Sequence, residues 1–378
     1  MQENRKIKIS YVLFELNKAL AFEWIADNID KEKFEVSFIS IHVAEHSYFE
    51  LFCKQRNIEF HRVVYDTKKN LLSAILHTYK LLKRIKPDIV HTHIFEGSLI
   101  GLTAAFLAGI KNRIQTRHHS SFHHIHAPGG VKFDKYCNRI STTIIAPSEN
   151  VKEILLSKEQ VPESKISLIH HGFDLSHFMN ISDDRLTVVK NKYNPKDRHP
   201  VIGVVSRYTA LKGIPYILNA FELLLKEYPT AYLILANAKG EDKASIQASL
   251  SSIPVDAYKE IEFEQDNGAL FKLFDIFVHV PISKDSEAFG QTYIEALSVG
   301  VPCIFTLSGV ANEFIADRRN ALVVDYKNAG QINESMKYLL INKEFSTMLT
   351  ENGRNDVEKY FSLPLMIAKL EQLYSRQG

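Results

Sequence analysis

In "SKDSEAFGQTYIEALSVGVPC", Ser283 to Cys303, two glutamates eight positions apart, Glu287 and Glu295, flank a glycine that opens a helix-like run. Unpaired backbone amides at such a helix start, here around Gly290 to Thr292, suit a phosphate. At 1.5 Å per residue Glu295 falls roughly 8 Å from the helix start, close enough to reach a sugar beside that phosphate. Glu287, ahead of the helix, touches a group on the other side. A phosphate flanked by hydroxyl-bearing rings is a nucleotide sugar. The competing reading is that acids collect at helix N-termini for the dipole alone.

A second constellation is "SRYTALKGI", Ser206 to Ile214, directly after the apolar "VIGVV". Arg207 and Lys212 sit on a loop after a strand. Two cations there can clamp a diphosphate, the guanidinium in bidentate fashion and the ammonium as a point charge. Solvated loop charges are the alternative. Histidines form a third signal, since 14 of 16 lie in the first 180 residues and "HHSSFHHIH" packs His118, His119, His123, His124 and His126 together. Imidazoles at i and i+4 can ligate zinc, yet no acidic residue accompanies the run. A loop lining an acceptor hydroxyl site, with one catalytic imidazole, is the other reading.

These loops need strands to carry them. "KIKISYVLF", "FEVSFISI", "PDIVHTHI", "RIQTRHH" and "TTIIAPS" read as strands, separated by helical periodicities such as Leu71 to Lys86 and Ser98 to Ala108. The rhythm lapses at "NISDDRLTVVKNKYNPKDRHP" and restarts with "VIGVVS", "AYLILAN", "IFVHVP", "PCIFTL" and "ALVVDY", with helices at Ile214 to Glu227, Gln291 to Ser298 and Gln331 to Ile341. The expected fold class is α/β, two Rossmann-like doubly wound parallel-sheet domains over residues 1–180 and 181–361. Ligands of open parallel sheets bind beyond the carboxyl ends of the strands, so two such domains are expected to face an interdomain cleft.

Composition agrees. A chain of 378 residues exceeds one ordinary core, and 45% hydrophobic with 24% charged residues excludes disorder. Three scattered cysteines, Cys53, Cys137 and Cys303, fit a reducing, cytoplasmic compartment and argue against a structural zinc site. No signal peptide or membrane span is legible. Net charge of +2 excludes a nucleic-acid partner, but residues 1–180 carry 24 Lys/Arg against 19 Asp/Glu, which suits peripheral contact with an anionic membrane face. The basic helix Lys68 to Lys86 either docks there or packs as a crossover helix with a solvated face.

Taken together, these segments resemble the family-4 retaining glycosyltransferases of GT-B fold, the glycosyl transferases group 1, over almost the whole chain. "KPDIVHTH" resembles that family's strand ending in a histidine, and "STTIIAPSENVKEILLSKEQVPESKISLIHHGFDLSHF" its series ending the first domain. "SRYTALKGI" resembles its R-x5-K clamp, and "EAFGQTYIEALSVGVPC" its E-x7-E signature. The resemblance implies a metal-independent hexosyltransferase with no cofactor, acting on a nucleotide-diphosphate sugar, a UDP-sugar foremost, and a glycan or lipid-linked acceptor in polysaccharide or glycolipid assembly. It implies that Arg207 and Lys212 meet charge on the departing diphosphate and that Phe289, Gly290, Gln291 and Thr292 support its oxygens and the sugar. Glu295 would then hold the ribose and Glu287 the donor sugar. His118 matches the active-site histidine, with His119 its competitor, and the last helix, residues 362–378, returns to the first domain.

Departures are present. "FELNKALAFEW" has no glycine where the family carries a pair after the first strand, His171-Gly172 stands for Asn-Gly, and Asn320-Ala321 replaces a glycine. A non-catalytic partner subunit and a sugar-nucleotide epimerase are the alternative functions.

Overall fold

The computed structural model describes residues 5–15, 17–41 and 47–377; Leu16, in the glycine-free loop, lies outside them. The chain divides into two units, residues 1–173 with 363–378, and residues 174–362. The cut falls seven residues before the one read from sequence. Its cause is the short helix Ser176–Met179, which packs on the helices Asn267–Lys272 and Gln291–Val299 of the second unit.

The first unit is a seven-stranded parallel sheet. Its strands are β1 (Ile7–Phe14), β2 (Phe34–Ile41), β3 (Glu59–Val63), β4 (Ile89–His93), β5 (Asn112–Thr116), β6 (Thr143–Ala146) and β7 (Ile166–Leu168), in the order β3-β2-β1-β4-β5-β6-β7. Register is direct, Ile9 opposite Ile89 and Tyr11 opposite His91. One face buries Val12, Ile39 and Val90 under Leu81, Leu82 and Ala104. The helix Leu71–Ile85 thus turns Ala74, Leu81 and Leu82 inward and leaves Lys80, Lys83 and Arg84 exposed, the crossover arrangement. The opposite face packs Ile9, Tyr11 and Phe38 against Met366, Leu370 and Tyr374 of the helix Leu363–Ser375. Tyr374 Oη lies 2.7 Å from both Tyr11 Oη and His91 Nδ1.

The second unit is a six-stranded parallel sheet of β8 (Val201–Val205), β9 (Tyr232–Ala236), β10 (Tyr258–Ile261), β11 (Ile276–His279), β12 (Cys303–Phe305) and β13 (Leu322–Val323), ordered β10-β9-β8-β11-β12-β13. Central strands here are continuous apolar runs, as strands covered on both faces must be; every residue of β8, β9 and β11 is buried. Ile202, Leu233, Ile276 and Ile304 meet Phe221, Leu224 and Met336 from the flanking helices. Both units are doubly wound, as the sequence rhythm requires.

Candidate active site

The order of the second sheet turns back between β8 and β11. Loops leaving the carboxyl ends of two such strands diverge to opposite faces and open a crevice. One is Ser206–Gly213; the other runs from Val280 to Gly290. Gly213 has φ +69 and Gly290 φ +94, a region that costs other residues energy. A Cβ on Gly213 would stand 2.1 Å from Val280 O, so the two loops touch backbone to backbone.

That approach delivers Lys212 to Glu287. Lys212 Nζ donates to Glu287 Oε1 at 2.5 Å, and His279 Nε2 lies 3.1 Å from the same oxygen. Glu287 N donates to Ser308 Oγ at 3.0 Å. Glu287 is only 8% exposed. Burial pushes its carboxyl upward, but the Lys212 charge and the His279 hydrogen bond outweigh burial and hold it down to about 2. It is therefore ionised. Burial pulls His279 below the ordinary histidine range despite the pull of Glu287, so a neutral ring donates from Nε2.

Beside this trio begins the helix Gln291–Val299. Its N-cap, Gly290, supplies no side-chain cap, and the amides of Gln291 and Thr292 have no acceptor within the helix. Phe289 is buried and its carbonyl accepts from Val310 N at 3.0 Å, which fixes the turn into the helix. Thr292 Oγ1, Ser206 Oγ and His279 Nδ1 are buried without a hydrogen-bond partner among the described residues. Free amides at a helix N-terminus, with a lysine on the neighbouring loop, are groups that suit an anion.

Glu295 lies farther along the helix. The residue as a whole is half-buried and no hydrogen bond or ion pair engages it among the described residues. Its carboxyl is nevertheless withdrawn enough that burial pushes it up to about 7. Arg207 is exposed, and its guanidinium has no ion pair among the described residues. The structure thus joins Lys212 and Glu287 directly and sets Phe289 to Thr292 in the same connection. Arg207 and Glu295 occupy the flanking loop and helix without bonding to that pair. His279 escaped the sequence reading; its signal was a polar ring ending the apolar "IFVHVP".

In the first unit, His118 follows β5. Its Nε2 shares a hydrogen bond with His93 Nδ1 at 2.9 Å, and its ring stacks on His171 at 5.5 Å. His91 Nε2 bonds Thr116 Oγ1 at 2.8 Å behind them. Burial drives His118 and His91 down to about 3 and His171 to about 4, so these rings are neutral. Ile94, between β4 and the helix Phe95–Leu107, takes φ 64, an outlier for a β-branched residue.

His119 faces elsewhere. Its Nε2 is 3.2 Å from Asp134 Oδ1, and His123 Nδ1 is 2.5 Å from Asp134 Oδ2. This corrects one expectation: an acid does accompany the histidine run, brought by the helix Val131–Ile140. Fifteen residues separate Asp134 from His119 in the chain, so proximity in sequence did not reveal it.

Residues 187–356 match the family "Glycosyl transferases group 1" and residues 25–177 match "Glycosyltransferase Family 4". The capsular polysaccharide biosynthesis glycosyltransferase CapM of Staphylococcus aureus is 25% identical over 324 residues, 82% of each chain. The UDP-Gal:alpha-D-GlcNAc-diphosphoundecaprenol alpha-1,3-galactosyltransferase of Escherichia coli is 23% identical over 316 residues, covering 80% of this chain and 79% of its own. In fold, Anabaena HepE, solved in complex with UDP-glucose, superposes with a TM-score of 0.83 at 15% identity, over 98% of this chain and all of that one.

Proposed function

Because this chain belongs to the group 1, family 4 glycosyltransferases, we propose that it moves a sugar from a nucleoside-diphosphate sugar, a UDP-sugar, to an acceptor hydroxyl with retention of configuration. The acceptor class is a glycan or lipid-linked sugar, in polysaccharide or glycolipid assembly. The observation that carries the reading is the Lys212–Glu287–His279 trio beside the open amides of the helix Gln291–Val299, at the point where the second sheet reverses. The named donors of the Escherichia coli and Anabaena proteins support uridine diphosphate.

On this reading the diphosphate lies on the amides of Phe289 to Thr292. Lys212 and Arg207 meet the charge that grows on it as the sugar–phosphate bond breaks, donors already in place when the charge appears. Glu287, held ionised, accepts from hydroxyls of the donor sugar, and Glu295 accepts from the ribose. The acceptor oxygen attacks on the face the diphosphate leaves, and its proton passes to the departing phosphate oxygen. His118, kept neutral, orients a hydroxyl through a hydrogen bond. The positive charges are the protein's own, so the transfer step draws on no metal.

The reading places the enzyme in the cytoplasm with peripheral contact at the inner membrane face, for which the exposed Lys80, Lys83 and Arg84 supply a basic surface. No described helix is long and apolar enough to cross a membrane.

A panel of uridine, guanosine and adenosine diphosphate sugars tests the donor by thermal shift, since a ligand at about 100 times its Kd stabilises by about 2.7 kcal/mol. Product analysis with and without acceptor then separates transfer from epimerisation. A panel without any shift, or conversion of the donor sugar in the absence of acceptor, overturns the reading.

A further inference from the structure

Arg117, Asp134 and Glu159 are all buried in the first unit, at 4%, 1% and 6% exposure. One guanidinium serves two carboxylates: Arg117 Nη1 is 3.2 Å from Asp134 Oδ1, and Nη2 pairs with Glu159 Oε1. The group is short of one positive charge, and a net charge is expensive to bury. Three imidazoles border it, His119 and His123 on Asp134 and His124 Nε2 at 3.2 Å from Glu159 Oε1.

We propose that His119, His123 and Asp134 form a binding site for a divalent transition-metal cation of the zinc class. Their ligand atoms come from the loop after β5, the four-residue helix Phe122–Ile125 and the helix Val131–Ile140, and lie within 4.8 Å of one another. Two imidazole nitrogens and a carboxylate oxygen are a borderline donor set that suits zinc or cobalt(II) better than calcium or magnesium. Tetrahedral zinc with bonds of roughly 2.0–2.1 Å holds its ligands about 3.3 Å apart, and His119 Nε2 stands 3.2 Å from Asp134 Oδ1. His123 Nδ1 lies 2.5 Å from the other oxygen, Oδ2, so a cation here meets both carboxylate oxygens, and ligand atoms that lie within 4.8 Å of one another draw together on binding.

Arg117 is the obvious objection, since it approaches the same carboxylate. Its charge is offset by Glu159, which leaves the charge of Asp134 for the cation. His119 Nδ1 is buried without a hydrogen-bond partner among the described residues, so its polar contacts are on the Nε2 side. A small pocket lined by Phe95, His119 and Asp134 borders two of the three ligand residues. The bound cation would pin the short helix and the loop carrying His118 to the helix Val131–Ile140. Its part is structural and lies outside the transfer chemistry.

Tag-free protein stripped with chelator and dialysed against Zn2+ or Co2+ provides the test. One ion per chain is expected, with the visible absorption of tetrahedral Co2+ and a thermal midpoint raised by roughly 5 °C at saturation. His123→Ala and Asp134→Asn should each weaken binding at least about a hundredfold, while His126→Ala, an exposed histidine of the same run, keeps it. Should Asp134→Asn fail to fold, His123→Ala and the wild-type stoichiometry still decide. Substoichiometric uptake of both ions overturns the site, as does one tight ion per chain retained by His123→Ala. UDP-sugar binding, measured in parallel, reports on the second unit independently.

Discussion

Lys212 and Glu287 are 75 positions apart in the chain and meet at 2.5 Å, one from the loop after β8 and the other from the loop after β11. Their contact joins the two loops where the sheet order reverses. Burial alone would push the Glu287 carboxyl up, and the Lys212 charge is the largest effect holding it down, so the pair is a structural joint as well as a candidate reaction centre.

Removing one partner should therefore cost stability. Lys212→Met leaves Glu287 with His279 alone and is expected to destabilise the second unit by about 3 kcal/mol, the lower end for breaking a buried pair. Glu287→Gln on top should return part of that loss, because no buried charge is left unpaired. A denaturant-unfolding double-mutant cycle measures this; additive losses would show that the two side chains do not depend on each other.

The two signature glutamates should drive stability in opposite directions with pH. Glu287 is held down to about 2 against an unfolded 4.5, so its contribution is present above 4.5 and is lost as pH falls through about 2; it amounts to on the order of 3 kcal/mol. Glu295 is raised to about 7. An acid with a raised value binds its proton more tightly when folded, so its contribution is present at low pH and lost as pH rises from 4.5 through about 7. Glu295→Gln should flatten the stability profile in that upper window, and Glu287→Gln should flatten only the acid limb. If the ionised Glu295 accepts from the ribose, donor affinity should be about tenfold stronger near pH 8 than near pH 6, and Glu295→Gln should abolish the difference. Calorimetry at the two pH values reads it, and an unchanged pH dependence in the variant removes Glu295 from donor binding.

Arg207 offers the reverse case. It is exposed and has no ion pair among the described residues, so Arg207→Ala should change stability by less than about 0.5 kcal/mol. Turnover should nonetheless fall on the order of a hundredfold if the guanidinium meets the leaving diphosphate. Single-turnover rates decide between the clamp and a solvated loop charge.

Long apolar runs and strongly periodic helices were legible from sequence because burial on both faces of a parallel sheet writes itself into composition. The helix Ile214–Glu227 has the same bounds in both readings. The strands that were missed, β3, β7 and β10, are all at sheet edges, where exposed Glu59 and Lys259 and half-buried Ser167 dilute the apolar signal. Lys212 and Glu287 were legible as separate motifs, but their pairing depends on Gly213 lying against Val280, a tertiary contact. Asp134 was not legible at all, and His279 only as a polar ring ending an apolar strand. Each is a common residue type made functional only by what the fold sets beside it.

The two adjacent histidines after β5 should separate by experiment into a chemical and a structural residue. His118 shares its hydrogen bond with another neutral ring, His93, and stacks on His171, so no ion pair depends on it. His119 bonds the buried Asp134, and its removal takes a partner from that carboxylate. His118→Ala should lower the single-turnover rate by several orders of magnitude more than it lowers donor affinity, because orientation of a hydroxyl counts only during transfer. His119→Ala should appear as a thermal-stability loss of about 1–3 kcal/mol with transfer by the folded fraction largely kept. Burial holds His118 down to about 3, below its ordinary value, so the neutral ring persists as pH falls through 6.5 and the rate should show no step there from this residue. A step near 6.5 that His118→Ala removes would mean the ring is solvated in the working enzyme. A dead His119→Ala beside an active His118→Ala would reverse the assignment.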